Sequence, residues 1–211
     1  MNRRGLLRMI GGIGAVGLAG CTAGGQQLGG PNTDTRRVSL VSQDSVANRH
    51  QLQVSADLLT SVINDEETAQ LRVTMMNTGP ERTFSIGSCV EPSDCGGYIF
   101  DQSAAGSDDP AGLWLRDPAF EPDDERWVRD KPADEPRGFP QRGYSKKQFE
   151  TGESVSKQYA VWDDYRTNGY LEPGTYRWEE EIWIWDGASI DPEDPDTKVT
   201  WGFSLLIEVP D

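Results

Sequence analysis

The chain has 211 residues, of which 35 are acidic and 20 basic, a formal net charge of −15 and a single histidine. Phosphate recognition needs clustered Lys and Arg, so this balance argues against a nucleic-acid partner. One histidine is too few for a blue-copper site, which takes two with a cysteine. His50 follows Arg49 just ahead of a strand pattern and reads as a surface residue. Nucleophile systems of the Ser-His-Asp or Cys-His kind are then disfavoured unless a lysine serves as base. No Gly-x-Ser-x-Gly elbow or phosphate-cradling glycine loop occurs in the chain. The expectation is a protein that binds rather than catalyses, with no cofactor and no metal.

Residues 1–20 have the layout of an export signal: basic residues Arg3, Arg4 and Arg8, then a glycine-broken apolar run from Met9 to Leu18. That run is about half of the ~20 apolar residues that cross a bilayer, too short for a permanent span. The order Asn2-Arg3-Arg4-Gly5-Leu6-Leu7-Arg8 resembles the twin-arginine motif, which implies export of a folded protein. Leu18-Ala19-Gly20-Cys21 resembles a lipobox. It implies cleavage before Cys21, lipid on its thiol, and a mature chain held on the outer face of the cytoplasmic membrane. One acyl chain at ~0.8 kcal/mol per buried methylene anchors only marginally, so two or more are expected.

Residues 1–20 hold three arginines and no acid, so the mature chain carries 17 basic against 35 acidic residues, a net charge of −18. Only five of its basic residues are lysines. Such an acidic, lysine-poor surface resembles that of proteins from salt-loving archaea. At 1 M salt the Debye length is ~3 Å, and charges spread over the surface hardly repel. Residues 21–37 then read as the lipidated cysteine and a flexible Gly-rich linker, reaching roughly 20–25 Å as a random coil.

From 38 to 211 alternation of period two dominates. It places Leu52, Val54, Ala56 and Leu58 on one face, and Ala69, Leu71, Val73 and Met75 on another. Phe84 and Ile86, Tyr98-Ile99-Phe100, and Leu113-Trp114-Leu115 follow, then Val155, Tyr159 and Val161 with Lys157 interrupting. The clearest strand puts Val199, Trp201, Phe203, Leu205, Ile207 and Val209 on one side. Turn signals stand at Asn77-Thr78-Gly79-Pro80, Asn168-Gly169 and Glu172-Pro173-Gly174. No helical period is sustained. Many short strands between Gly- and Pro-bearing turns predict an all-β, antiparallel β-sandwich. Cys89 and Cys95, outside the cytoplasm, read as a disulfide in preference to an incomplete zinc pair. The stretch 117–150 holds five prolines among aromatic residues. It is expected to form one long inserted loop, draped over the sandwich and pinned by those aromatics.

With these strands in order, six pieces stand out: Leu71-Arg72-Val73-Thr74-Met75-Met76-Asn77, Tyr98-Ile99-Phe100-Asp101, Gly112-Leu113-Trp114, Thr151-Gly152-Glu153-Ser154, Tyr159-Ala160-Val161-Trp162 and Leu171-Glu172-Pro173-Gly174-Thr175-Tyr176. In that order they resemble the BsuPI-like proteinase-inhibitor family. The resemblance implies an immunoglobulin-like sandwich and offers protease inhibition as an alternative role. It carries over no inhibitory residues. Pro173-Gly174 fits a tight turn in which glycine takes a positive φ, with Tyr176 packing inward beside Trp178.

Four further features bear on function. Alternation sends Glu180 of the triplet Glu179-Glu180-Glu181 to the face of Trp178 and Ile182, where a bulge or an edge position is the simplest account. The acidic stretch 186–196 reads as a solvated hairpin tip in preference to a calcium loop. Trp183 and Trp185 share one side of their strand, either as core or as an exposed aromatic strip suited to sugar or protein. With Trp127, Phe139 and Tyr144 of the long loop, they form the candidate binding surface for a protein or glycan at the cell surface.

Overall fold

A computed structural model describes residues 34–88, 104–106, 109–122, 126–129, 144–165, 169–186 and 194–210. Twelve strands occur among them, and the only helical element is one 3₁₀ turn, Asn48–His50. The strands are β1 (Arg36–Gln43), β2 (Leu52–Thr60), β3 (Val62–Ile63), β4 (Gln70–Asn77), β5 (Arg82–Ser88) and β6 (Ala104–Gly106). They continue with β7 (Asp109–Arg116), β8 (Val128–Arg129), β9 (Tyr144–Phe149), β10 (Ser154–Asp164), β11 (Gly174–Trp185) and β12 (Thr197–Glu208).

They form two packed sheets, ordered β3-β1-β12-β11-β5-β9 and β2-β4-β10-β7-β6, with the short β8 running parallel to β10. All other pairs are antiparallel, so the fold is the all-β sandwich that the alternation predicts. The period-two pattern works because successive side chains point to opposite sheet faces. In β4 the pattern is strict: Leu71, Val73 and Met75 are buried while their neighbours lie part-exposed. Tyr159 and Val161 of β10, Leu113 and Leu115 of β7, and Trp201, Phe203, Leu205 and Ile207 of β12 fill the same interior. Trp178 of β11 stacks on Phe203, with ring centroids 5.2 Å apart. Burial of each such side chain contributes roughly 1.5–3 kcal/mol.

Four sequence expectations need correction. The stretch 117–150 is not one loop: it contains β8 and β9, and β9 extends its sheet by pairing with β5. Val209 is 54% exposed, because β12 ends at Glu208 and the alternation is no longer held by a ladder. The glutamate triplet makes no bulge: Glu179, Glu180 and Glu181 pair in unbroken register with Gly202, Trp201 and Thr200. Nor is β11 an edge strand, since it lies between β12 and β5, although β5 pairs only with Ile184 and Trp185. Glu180 does face inward as alternation requires, half-buried across from Trp201. Finally, Gly174 opens β11 and has no positive φ; the left-handed residue of that turn is Leu171, at φ 45°.

Candidate functional site

Trp127 packs edge-on against Trp162, with ring centroids 5.4 Å apart, and its Nε1 donates to the carbonyl of Asn64 at 2.8 Å. Its backbone N–H donates to the Tyr170 hydroxyl, and its carbonyl accepts from Asp163 N–H. Trp127 therefore pins its segment to the sandwich, leaving little of the ring for a partner. On the same outer face, the Arg116 guanidinium lies between the rings of Phe120 and Trp162, at 4.4 and 4.3 Å from their centroids. The carboxylates of Asp163 and Asp164, both buried, accept from Leu171 N–H and Trp114 Nε1. Among the described residues the buried Trp162 indole N–H has no acceptor.

On β11 the core alternative holds for Trp185, which is thereby removed from the candidate binding surface. Trp185 is 1% exposed, with Lys146 Nζ 4.3 Å from its ring centroid, so it offers no free face. Trp183 is half-buried, edge-on to Trp185, with its Nε1 on Glu181 and Lys198 Nζ over its ring. Tyr144 opens β9 opposite Ser88, but its side chain lies outside the described residues. So do Phe139, Cys89, Cys95, Cys21 and the whole leader, including Arg3, Arg4, Leu18, Ala19 and Gly20. Of the acidic hairpin, Asp186 pairs with Arg82 at 3.3 Å, and its N–H donates to the Asp196 carboxylate. Residues 187–193 lie outside the description. No group of three or more His, Cys, Asp or Glu side chains is placed to hold a metal among the described residues.

The structure brings together a different set of residues at the side of the sandwich. A groove of about 660 Å³ lies between the segment leaving β1 and strand β2, and continues over β2 towards β4. Most of the residues lining it carry neutral hydrogen-bonding side chains, including Gln43, Ser45, Gln51, Gln53, Ser55 and Thr74, although apolar atoms make up the larger share of its surface. Leu52, Val54 and Val46 add apolar surface. Asp44 is the only charged residue in the lining among the described residues, and Arg177 Nη2 holds its carboxylate at 2.5 Å. That carboxylate and Glu179 raise the Arg177 pKa above its ordinary value, the hydrogen bond to Asp44 contributing most.

One wall of the groove is fixed by the body of the fold. Asp44 N–H donates to Gly202 O at 2.9 Å, and Asp44 O accepts from Trp201 Nε1 at 2.9 Å. Gly202 is required here: a Cβ would stand 2.3 Å from the Trp178 carbonyl and 3.0 Å from Arg177 Nη2. At the far end Gln51 adopts φ 48°, and its carbonyl accepts from Thr78 N–H and from Arg82 Nη2. Pre-ordered walls of this kind reduce the ordering cost of binding. Nothing in the sequence marks these residues, because polar side chains at alternate strand positions read as an ordinary solvent face. No family model, curated protein or solved structure matches the chain.

Proposed function

We propose that the chain is a lipid-anchored, extracytoplasmic lipoprotein whose immunoglobulin-like sandwich acts as a binding module for a protein or glycan at the cell surface. The observation that carries the binding role is the groove beside β2, with fixed walls, many neutral hydrogen-bonding side chains and the Asp44 carboxylate ion-paired with Arg177. Such a site favours an uncharged, hydrogen-bonding partner and supplies no acid–base pair for chemistry.

The immunoglobulin-like assignment is supported by strand order. β2-β4-β10-β7 facing β5-β11-β12 follows the A-B-E-D and C-F-G sheets of that fold. It is supported again by the Tyr176 hydroxyl, which donates to Glu172 O at 2.7 Å near the start of β11. A tyrosine there, bonded back to the chain just upstream, is the tyrosine corner of immunoglobulin-like sandwiches. This tyrosine closes the Leu171–Tyr176 segment that carries the BsuPI-like resemblance. Two features depart from the pattern: β9 joins β5 although it follows β7 in the chain, and β1 runs antiparallel to β12.

Twin-arginine export, lipid on Cys21, an acidic surface suited to high salt and a Cys89–Cys95 disulfide complete the proposal. The mass of the native protein tests the anchor: cleavage before Cys21 and an acylated thiol are expected, and an intact leader with a free thiol overturns it. A photo-crosslinker placed at Gln53 on intact cells tests the binding role. One discrete adduct, absent when the crosslinker sits at exposed Gln158 of β10, is expected; identical patterns from both sites reject the groove.

A further inference from the structure

We infer that the groove takes its partner by strand addition: an extended, uncharged polypeptide segment pairs with the free edge of β2. The inference rests on the binding-module reading and specifies the class of partner. Among the described residues β2 is the terminal strand of its sheet, paired only with β4. Backbone groups of alternate residues point to opposite edges, and the Ala56 N–H donates away from β4, to Gln43 Oε1 at 2.9 Å. By that alternation the N–H and C=O of Leu52 and Val54 point the same way. Among the described residues no strand pairs along this edge, and the bond that reaches it comes from a side chain, Gln43 Oε1 on Ala56 N–H.

The row and the groove coincide, since Leu52 and Val54 line it. Edge strands of this kind bind extended peptides through main-chain bonds, with side-chain pockets at every second residue giving selectivity. Exposed edges are commonly protected by charge, proline or a bulge. From Leu52 to Ser55 β2 itself carries none of these, and the neutral amide of Gln43 caps the edge at Ala56. That amide occupies the position a partner strand's carbonyl would take, on a side chain able to swing away. Asp44 is already engaged by Arg177 and the described lining holds no basic residue, which favours a neutral segment over an acidic one.

The probe is a pool of blocked nine-residue peptides in which Val, Thr and Ile alternate with Ser and Gln, added to the isotopically labelled full chain in detergent. Hydrogen exchange at the Val54 amide is expected to slow in its presence. Alternate N-methylation of the peptides, which removes main-chain donors and leaves the protein untouched, is expected to abolish the effect. Gln43→Ala frees the Ala56 N–H and should tighten binding roughly threefold to tenfold, the worth of one hydrogen bond. Val54→Pro should weaken it by a similar factor; Pro is tolerated on an edge whose N–H faces outward.

Weakening by Gln43→Ala, or protection that survives N-methylation, overturns strand addition, because side chains would then carry the binding. Exchange at Val54 that slows with protein concentration alone assigns the edge to a second copy and also overturns it. A glycan that quenches tryptophan fluorescence while Val54 exchanges freely rejects strand addition and leaves the binding-module reading standing. Failure of the Gln53 crosslink rejects that broader reading independently.

Discussion

The Oδ1 of Asn77 accepts from the Nε of Arg82 at 3.2 Å, and these two buried side chains tie three segments together. Asn77 Nδ2 donates to the carbonyls of Pro80, Phe149 and Glu150, while Arg82 donates to those of His50 and Gln51. The β4–β5 turn, the end of β9 and the wall of the groove are thus held by one pair. Asn77→Asp keeps the acceptor and removes the donor facing three carbonyls, leaving a carboxylate against them. A loss of about 2–4 kcal/mol is expected, from an unsatisfied buried group plus like-sign dipoles. Urea unfolding measures it, and a change below about 1 kcal/mol rejects the pair as a structural hub.

Trp162 and Trp201 are both buried tryptophans, yet among the described residues only Trp201 of the two has an acceptor for its indole N–H, the Asp44 carbonyl at 2.9 Å. Trp→Phe removes similar volume at each site. At position 201 it also strands the Asp44 carbonyl; at 162 it removes a desolvated donor. Trp201→Phe is therefore expected to destabilise by about 1–2 kcal/mol more than Trp162→Phe. Equal losses in thermal or urea unfolding overturn the contrast.

How much of this was legible in the sequence follows from what each feature depends on. β4 and β12 could be read because their alternation records burial directly, residue by residue. The Glu180 position was right and the bulge wrong, since a ladder of eleven paired positions with β12 holds the strand straight through an acidic triplet. The groove was not legible: it depends on Gln43 meeting Ala56 across two sheets, and no local pattern encodes that meeting. Trp185 could not be placed because period two assigns a face without saying what covers it.

Leu171 has φ 45° with its side chain fully buried. Two contacts hold this conformation: its N–H donates to Asp163 Oδ2 at 3.1 Å, and its carbonyl accepts from Arg36 Nε at 2.8 Å. A left-handed non-glycine residue costs roughly 1–2 kcal/mol, so the surroundings must impose it. Leu171→Ala and Leu171→Gly both lose the buried side chain, about 2–5 kcal/mol. Glycine relieves the backbone, however, and should be the less damaging of the two, by about 1 kcal/mol, reversing the usual order. Denaturation midpoints decide it; alanine outperforming glycine would show that the turn stores no strain.

Burial raises the pKa of Tyr176 above its ordinary 10.0, and the charges of Asp163 and Glu172 push it the same way. Burial likewise raises that of Tyr170, against the Trp127 N–H bond to its hydroxyl, which lowers it. Unfolded tyrosines lose their protons near 10.0, whereas these two keep them in the native state. The native state then binds more protons, so stability falls as pH rises. Their contribution is complete below the unfolded value and is lost as pH climbs through the raised native ones. For Tyr176 ionisation also removes the donor to Glu172 O, opening the corner at the start of β11. Tyr176→Phe is expected to lower stability by about 1 kcal/mol at neutral pH and to flatten the alkaline fall. Unfolding free energies measured from pH 7 to 11 test both effects, and an undiminished alkaline slope in the variant excludes Tyr176 as a contributor.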